Sequence, residues 1–356
     1  MKLRVGILGA TGAVGQKFVR LLEGHPWFEL TALAASERSA GKSYGEAAHW
    51  IESTPLPASI AHMEVQLCEP GLDCDLVFSG LDSSVAGPVE KAFAAAGYPV
   101  ISNAKNHRMD DDVPLLIPEV NPEHLALIDR QNHASNGFIV TNPNCATVGL
   151  TMALKPLQDT FGIQAVQVTT MQALSGAGYP GVASLDAVAN VIPFIGGEED
   201  KLETEPLRLL APLARNNGEA AVIPLEIPIS AQCNRVPVLE GHMECVSVKV
   251  HGSPSMERVR QVLADFVWPH EVAALPSAPA RCLDLLEDET APQPRRDVHR
   301  GAGMTVCIGR LRSCPVFDVR FVVLSHNTIR GAAGGAILNA ELLASRGLLL
   351  HRDRPS

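Results

Sequence analysis

The sequence lacks several patterns that mark particular classes of protein. It contains no Cys-x-x-Cys pair and no two histidines at His-x-x-x-His spacing, so no metal site is expected. No stretch of about 18 uninterrupted apolar residues exists, which argues against a membrane-spanning helix and a membrane partner. The formal net charge is -10, whereas a protein that binds nucleic acid normally has a basic face. These absences argue against a metal site, a membrane-spanning protein and a nucleic-acid-binding protein.

The eight cysteines do not have the spacing of a small disulfide-bonded domain. We therefore expect reduced thiols and a cytoplasmic location. The N-terminus begins Met1-Lys2-Leu3-Arg4 and continues into apolar residues, but glycines soon interrupt this short run, which is unlike a signal peptide. With 46% hydrophobic and 19% charged residues, the 356-residue chain is long enough for two domains with hydrophobic cores.

Strand and helix patterns alternate through the first part of the chain. Strands are predicted at residues 3–8, 28–35, 75–79, 98–102 and 138–141, and helices at residues 11–23 and 84–96. Such alternation predicts parallel βαβ units and therefore an α/β domain with a doubly wound, Rossmann-type sheet.

The pattern changes after Cys145. A helix is predicted at residues 146–157, followed by strands at 163–174, 221–229, 243–250, 305–312 and 317–324, with a helix at 254–266. Residues 276–300 are rich in proline and charge and predict a long surface loop. We expect an α+β domain with a mainly antiparallel sheet at residues 145–326. The first domain, residues 1–144, would be completed by a helix at residues 327–350.

A glycine-rich segment, Gly-Ala-Thr-Gly-Ala-Val-Gly at residues 9–15, lies between the first predicted strand and helix. Glycine lets the backbone approach a pyrophosphate closely, and the following helix offers free N–H groups to the phosphates. In this context we predict a dinucleotide site rather than an ordinary tight turn. The predicted cofactor contacts are Gly9, Thr11, Gly12, Ala13 and Val14.

The second predicted strand ends in a polar segment that bears on the choice of cofactor. Ser36, Arg38 and Ser39 offer hydroxyl and guanidinium donors suited to a 2′-phosphate, which favours NADP. Glu37 stands close to the point where NAD-specific sites carry an acidic residue. An exposed polar turn without a ligand is the alternative reading of this segment.

Cys145 is predicted to stand at the start of a helix. That position lowers a thiol pKa, because the helix N-terminus favours the thiolate. Asn144 and the backbone N–H of Cys145 are candidates to hold the oxyanion of a tetrahedral intermediate. A cysteine taken alone is more often a small buried apolar residue.

Two further residue types suit acyl chemistry on an anionic substrate. Arg235 offers a planar, bidentate site for a carboxylate. His242 follows seven residues later and is a candidate general acid/base. The chain has 12 histidines, so the choice of this one depends on the motif around it.

Six segments, together with the glycine-rich segment, resemble aspartate-β-semialdehyde dehydrogenases, in particular the archaeal and fungal branch. They are Ser-Asn-Ala-Lys-Asn-His-Arg at 102–108, Asn-Pro-Asn-Cys-Ala-Thr at 142–147, Gln-Ala-Leu-Ser-Gly-Ala-Gly at 172–178, Gly-Gly-Glu-Glu-Asp-Lys at 196–201, Asn-Arg-Val-Pro-Val-Leu-Glu-Gly-His at 234–242 and Ser-His-Asn-Thr-Ile-Arg-Gly-Ala at 325–332. The resemblance runs in order from about residue 3 to residue 350.

This resemblance implies reduction of an aspartyl phosphate by NADPH to the semialdehyde, with release of phosphate, in the biosynthesis of lysine, methionine and threonine. It makes Cys145 the acyl-forming nucleophile, His242 the acid/base and Gln172 the group that orients the acyl carbon. The resemblance further assigns the substrate ammonium to Glu198, its α-carboxylate to Arg235, the phosphate to Arg108 and Lys201, and the nicotinamide side to Ser175, Gly176 and Asn327.

Other readings of these residues stay open. Glu198 and Lys201 are three residues apart, which is also the spacing of an ion pair on a helix surface. Arg108 could merely begin an acidic turn, and Gln172 could be an ordinary strand residue. N-acetyl-γ-glutamyl-phosphate reductase and malonyl-CoA reductase are alternative enzymes with a similar plan, and an NADP-binding regulator is the non-enzyme alternative. By resemblance we also expect a homodimer or homotetramer, with the second domain forming the interface.

Overall fold

The computed structural model describes residues 2–131, 136–216 and 218–351. Its first sheet contains six strands, whose bounds are β1 Leu3–Leu8, β2 Phe28–Ala35, β3 Val65–Leu67, β4 Leu76–Ser79, β5 Pro99–Ser102 and β6 Phe138–Thr141. All neighbouring strands are parallel, in the order β3-β2-β1-β4-β5-β6. The predicted doubly wound parallel sheet is confirmed, and the carboxyl ends of its strands meet at one edge, where such sheets bind ligands.

In the part of the chain that the structure describes, five helical segments accompany this sheet. They are α1 Ala13–Leu22, α2 Tyr44–Ala47, α3 Ala58–Ala61, α4 Ser83–Ala95 and a 3₁₀-helix at Pro122–Arg130. In the contact between α1 and the sheet, the ring of Phe18 stacks on Phe78 of β4 with centroids 4.8 Å apart. Both rings are fully buried, so this contact stabilises α1 directly beside the glycine-rich segment.

A second six-stranded sheet follows in the chain. Its strands are β7 Ile163–Gln172, β10 Ile229–Arg235, β11 His242–Val250, β12 Leu283–Leu285, β13 Val306–Ser313 and β14 Val319–Ser325, and β8 Leu213–Asn216 and β9 Glu219–Val222 form a separate hairpin. In the order β10-β7-β11-β14-β13-β12, the three inner pairs are antiparallel and the two outer pairs are parallel. The prediction of a mainly antiparallel sheet is therefore confirmed.

The remaining helices surround this sheet or lead back to the first one. Their bounds are α5 Cys145–Phe161, α6 Ser184–Ala187, α7 Glu198–Leu209, α8 Met256–Ala264, α9 His270–Ala273, α10 Pro294–Asp297 and α11 Gly334–Ser345, with 3₁₀-helices at Leu174–Ala177 and Arg300–Gly303 and a π-helix at Ile329–Ala333. The apolar side chains of α5 belong to the core of the second sheet, whereas those of α11 belong to the core of the first. The domain bounds that we drew at residues 144 and 145 stay a prediction.

Three of the predicted elements are wrong in their bounds or type, and β3, β8 and α7 were not predicted. The strand at residues 221–229 is wrong, because Pro224 and Pro228 lack the N–H that a strand needs, and β10 begins only at Ile229. Residues 276–300 are more than a surface loop, since they contain β12 and α10 and bury Val298. The last helix begins with a π-turn and ends at Ser345, two residues before Gly347, which has a φ of +70°.

Two expectations about the whole chain can be compared with the structure. All eight cysteines lie in the described residues and none forms a disulfide. Across residues 2–131, 136–216 and 218–351, no helix combines the length and the apolar character that crossing a bilayer requires.

Candidate active site

The glycine-rich segment forms a tight turn at the carboxyl end of β1. The N–H groups of Gly9 and Ala10 both donate to the carbonyl of Ala34, each at 2.9 Å, and Gly9 has a φ of +77°. A Cβ at Gly15 would lie 2.3 Å from the carbonyl oxygen of Gly9, so only glycine fits there. No side chain caps the N-terminus of α1, whose first N–H groups are therefore open to an anion.

The polar segment after β2 forms a turn beside this loop. The N–H of Ser39 donates to the carbonyl of Ser36 at 2.8 Å. Ser36, Glu37 and Arg38 are exposed, whereas Ser39 is 9% exposed. Of the three residues that we predicted for a 2′-phosphate, Ser36 and Arg38 thus offer the open donors.

The predicted nucleophile and the predicted acid/base are in direct contact. Cys145 is the first residue of α5, and His242 is the first residue of β11. The Sγ of Cys145 lies 3.2 Å from Nε2 of His242. Because the two residues are 97 positions apart in the sequence, only the packing of α5 on the second sheet brings them together.

The proton of the neutral His242 ring is placed by a backbone contact. The N–H of Ala173 donates to Nδ1 of His242 at 3.0 Å, so Nδ1 is an acceptor and the ring carries its proton on Nε2, facing the sulfur. Burial lowers the pKa of His242 to about 3, and the positive charge of Arg235 adds to the fall. His242 is therefore a neutral hydrogen-bond donor at Nε2.

The lowered thiol pKa that we predicted for Cys145 is wrong. Burial raises the pKa of the Cys145 thiol to about 12, and the negative charge of Glu198 adds to the rise. Arg108, Lys201 and Arg235 act in the opposite direction but do not prevail. The helix start favours a thiolate, but in this arrangement burial is the larger effect.

Asn144 stands at the start of α5 and hydrogen-bonds through both ends of its side-chain amide. Its Oδ1 accepts the N–H of Ala146 at 3.0 Å and so caps α5, while its Nδ2 donates to both carboxylate oxygens of Glu198 at 2.9 Å. Both the oxygen and the nitrogen of this amide are therefore engaged, and its oxyanion role stays a prediction. Asn144 fixes the start of the nucleophile helix and ties it to α7.

Around the Cys145–His242 pair, called the dyad below, lie four further residues that we predicted, namely Gln172, Glu198, Lys201 and Arg235. Glu198 accepts from Lys201 Nζ at 2.6 Å and from Gln172 Nε2 at 3.2 Å. Burial alone would raise the pKa of Glu198, but Lys201 and the amide donors keep it below its usual value. Arg235 is 7% exposed and donates to the carbonyl of Ala173 at 2.7 Å.

One residue of this cluster, Glu205, was missed by sequence reasoning. It accepts from Arg108 Nη1 at 2.8 Å through one oxygen and from the N–H of Asn144 at 2.6 Å through the other. Glu205 thereby ties the predicted phosphate ligand to the nucleophile helix. The signal was present, because residues 198, 201 and 205 fall on one face of a helix at spacings of three and four.

The predicted nicotinamide-side residues lie together above His242. Asn327 donates to Ser175 Oγ at 2.8 Å and accepts from the N–H of Gly241 at 2.9 Å. A Cβ at Gly176 would lie 3.0 Å from Cε1 of His242 and 2.9 Å from Nη1 of Arg235. A nicotinamide ring packed against the backbone of Gly176 would therefore lie next to the dyad.

The π-helix contributes a second close backbone contact, which the sequence did not indicate. A Cβ at Gly331 would lie 2.7 Å from Cβ of Cys145. Arg330 anchors this turn through two hydrogen bonds of 2.6 Å to Glu119, and both side chains are almost fully buried. A π-turn at this position holds a glycine against the nucleophile, in keeping with the frequent use of such turns at functional sites.

Among the described residues, one group has the composition of a metal site. The ligand atoms of Glu240, His299 and His326 lie within 4.8 Å of one another. However, Nδ1 of His326 accepts the N–H of Ile329 at 3.3 Å, whereas a histidine that binds a metal through Nε2 carries its proton on Nδ1. Lys17 Nζ also lies 3.5 Å from Glu240, so we assign no metal here.

Comparison with known proteins places this geometry in a family. The family model for the semialdehyde dehydrogenase NAD binding domain matches residues 4–128, and that for the semialdehyde dehydrogenase dimerisation domain matches residues 154–330. The aspartate-semialdehyde dehydrogenase of Archaeoglobus fulgidus is 49% identical over 352 residues, covering 98% of this chain and 100% of that protein. That of Saccharomyces cerevisiae is 47% identical over 358 residues, covering 97% and 98%.

Solved structures agree with these relatives. The crystal structure of the aspartate semialdehyde dehydrogenase of Candida albicans with NADP has a TM-score of 0.90 and 44% identity, covering 98% of this chain and 100% of that one. Aspartate semialdehyde dehydrogenase II of Vibrio cholerae, complexed with ASA, has a TM-score of 0.75 and 28% identity, covering 97% and 98%. With its Cys145–His242 contact at the junction of the two sheets, the chain belongs to the aspartate-semialdehyde dehydrogenase family.

Proposed function

We propose that this chain interconverts L-aspartyl 4-phosphate and L-aspartate 4-semialdehyde, with NADPH as the reductant, by way of a thioester on Cys145. The observation that carries this proposal is the 3.2 Å contact between Sγ of Cys145 and Nε2 of His242. Three cations, Arg108, Lys201 and Arg235, and two carboxylates, Glu198 and Glu205, surround this contact. Such a set suits an amino acid that bears a carboxylate and a phosphate. The membership of the family points to the same reaction.

The residues present fit a dinucleotide. The glycine turn at Gly9 and the uncapped start of α1 would hold the pyrophosphate, and the exposed donors of Ser36 and Arg38 would hold a 2′-phosphate. Ser175, Gly176 and Asn327 would line the nicotinamide beside His242. When bound, the cofactor supplies or accepts the hydride, and the related protein of Candida albicans was crystallised with NADP.

The cluster around the dyad suggests how the substrate is held. Glu198 would receive the substrate ammonium and Arg235 the α-carboxylate, while Arg108 and Lys201 would receive the phosphate. Binding at Glu198 has an electrostatic consequence for the nucleophile, because the charge of this carboxylate adds to the raised pKa of Cys145. An ammonium paired with Glu198 offsets that charge, so the substrate itself would favour the thiolate.

The reductive direction follows from these placements. The thiol of Cys145 loses its proton to solvent, its sulfur forms a bond to the acyl carbon, the carbon–oxygen bond to phosphate breaks, and inorganic phosphate leaves toward Arg108 and Lys201. Once the thioester carbon has been reduced, its oxygen carries the negative charge, which the N–H at Nε2 of the neutral His242 would stabilise by a hydrogen bond. When this tetrahedral adduct collapses, the carbon–sulfur bond breaks, the aldehyde is released and the sulfur of Cys145 regains its proton from solvent.

The test is reduction of NADP by aspartate semialdehyde in the presence and absence of phosphate, with NAD in parallel. We expect NADPH formation in repeated turnovers only when phosphate is present. The same assay in the reductive direction, with N-acetylglutamyl phosphate or malonyl-CoA as the substrate and NADPH oxidation as the readout, tests the two alternative enzymes. Binding of NADP with no phosphate-dependent reduction would favour the regulator and contradict this proposal.

A homodimer is part of the same proposal. The family model that matches residues 154–330 is described as a dimerisation domain, so the second sheet is the face on which we expect two copies to meet. A cytoplasmic location is expected from the free thiols. Analytical ultracentrifugation gives the mass in solution, and a monomer at micromolar concentration would contradict the dimer.

A further inference from the structure

The loop at residues 236–241 connects Arg235, the proposed ligand of the α-carboxylate, to His242 of the dyad. Arg235 ends β10 and His242 begins β11, so the path of this loop sets both side chains. Backbone contacts attach the loop to the nicotinamide side, since Leu239 accepts the N–H of Ser175 at 3.2 Å and Gly241 donates to Asn327 at 2.9 Å. The remaining side-chain attachment is through Glu240.

Glu240 lies between the second sheet and the helix that follows the glycine turn. One of its oxygens is 2.8 Å from Nε2 of His326, at the end of β14. The other accepts from Thr328 Oγ1 at 3.4 Å and lies 3.5 Å from Nζ of Lys17. Burial would raise the pKa of Glu240, but His326 and Lys17 lower it to about 2, so the residue is an anion.

Lys17 belongs to α1 and is itself buried, with only 4% of its surface exposed. Its nearest partner is Glu52, at 2.9 Å, which also accepts from Arg20 at 3.0 Å. Lys17 therefore connects α1 to Glu52 on its own side and to Glu240 on the catalytic side. Arg20 shares Glu52 but no contact joins it to Glu240 in the described part of the chain.

A helix transmits a displacement along its length, because its backbone hydrogen bonds make it a rigid element. The N-terminus of α1 is the proposed pyrophosphate site, and Lys17 stands one turn further along the same helix. Movement of α1 on cofactor binding would reach Glu240 through Lys17. Glu240 is two residues from His242 along the chain, so the same movement would reach the dyad.

We propose that Lys17 is a positioning residue that couples cofactor binding on α1 to the placement of His242, by holding Glu240. The inference rests on the proposed function, since it takes the turn at Gly9 as the cofactor site. It assigns Lys17 no contact with substrate or with the reacting atoms. We therefore expect replacement of Lys17 to lower kcat, and not only to raise the dissociation constant for NADP.

The experiment compares Lys17→Met, Glu240→Gln and the double variant. We expect each single variant to lower kcat about fivefold or more. The double variant should be no slower than the slower single one, because the two changes remove the same contact. Lys17→Arg should restore most of the turnover. Arg20→Met is the matched control, since it removes a cation from Glu52 and leaves Glu240 untouched, and should keep the kcat of the wild type.

A second readout does not require turnover. The alkylation rate of Cys145 by iodoacetamide, followed by peptide mass spectrometry, should change on addition of NADP in the wild type and change less in Lys17→Met. Additive losses of kcat, or a loss confined to the dissociation constant for NADP, would overturn the inference. A wild type without dehydrogenase activity would instead contradict the proposed function. In that case the coupling can still be tested. It would be overturned if NADP changed the alkylation rate of Cys145 equally in the wild type and in Lys17→Met.

Discussion

At the scale of single residues, the thiol of Cys145 experiences two opposing influences. Burial and Glu198 raise its pKa, whereas Arg108, Lys201 and Arg235 lower it. The outcome is a thiol that is protonated near neutral pH. A nucleophile of this kind is protected from general reaction and becomes reactive when its surroundings change.

Replacing Glu198 with Gln removes the negative charge that helps to raise the pKa of Cys145. The pKa of Cys145 should fall, and each unit of that fall raises the thiolate population about tenfold at a pH below the pKa. We expect faster alkylation of Cys145 by iodoacetamide at pH 8, together with lower turnover, because the proposed ammonium ligand is lost. Lys201→Met should slow the same alkylation. An unchanged rate in Glu198→Gln would show that this charge does not control the thiol.

Arg38 bears on the choice between NADP and NAD. A charge-assisted hydrogen bond from this exposed guanidinium to a 2′-phosphate would be lost in Arg38→Ala, and we expect KM for NADP to rise about tenfold. KM for NAD should stay unchanged. Glu37→Gln is the neighbouring control and should not weaken NADP. Equal changes for both cofactors in Arg38→Ala would exclude a 2′-phosphate contact.

The residue types and motifs were sufficient to predict which side chains gather at the dyad, because short segments of the sequence carry them. The sequence could not predict how they are paired. Asn144 turned out to cap α5 and bind Glu198, and Glu205 was missed altogether. Both outcomes depend on the packing of α7 against α5, and the raised pKa of Cys145 likewise depends on burial that no local pattern reports.

At the scale of elements, two backbone segments press on the dyad from different sides. The 3₁₀-helix Leu174–Ala177 brings Gly176 against His242, and the π-helix Ile329–Ala333 brings Gly331 against Cys145. Side chains are excluded from both contacts. The positions of these elements therefore limit how far the sulfur and the imidazole can move.

Gly331→Ala tests the π-helix contact. The added Cβ would lie 2.7 Å from Cβ of Cys145 and 2.8 Å from its Cα, so the start of α5 must shift. A displacement near 1 Å at a reacting group costs about 10²-fold in turnover. We expect a loss of that order in kcat, with the far-ultraviolet circular dichroism spectrum preserved. Gly45→Ala, in α2, meets only ordinary contacts and serves as the control.

Five of the six strands of the first sheet were predictable, because they are mainly apolar runs separated by helical patterns. The sixth strand, β3, has only three residues and was missed. The second half was harder. Pro224 and Pro228 break a run that its apolar content alone marks as a strand, and β12 is only three residues long. The π-turn that begins the last helix has no sequence signature, since its register depends on the buried pair of Arg330 and Glu119.

At the scale of the whole molecule, the second sheet buries a carboxyl group that the mechanism does not use. Glu244 in β11 is fully buried, and neither carboxylate oxygen has a hydrogen-bond partner among the residues that the structure describes. Burial raises the pKa of this carboxyl well above its usual value. The folded chain therefore keeps a proton that the unfolded chain releases above its ordinary pKa.

This difference makes the folding free energy depend on pH. Above the ordinary pKa of a glutamate, the unfolded state loses the proton and the folded state does not, so Glu244 lowers stability as pH rises, by up to about 1.4 kcal/mol per pH unit. Glu244→Gln removes the effect. We expect the Tm of this variant minus the Tm of the wild type to become larger between pH 5 and pH 8. A constant difference across this range would show that Glu244 is ionised in the folded chain.

The covalent route through Cys145 is the claim on which the account of the whole molecule depends. It is tested most directly by intact-protein mass spectrometry of the chain, quenched while it oxidises aspartate semialdehyde with NADP in the absence of phosphate. We predict one aspartyl group attached to Cys145, lost on addition of phosphate and absent from Cys145→Ala. NADPH formed in an amount equal to the enzyme, with no adduct at Cys145, would contradict the account.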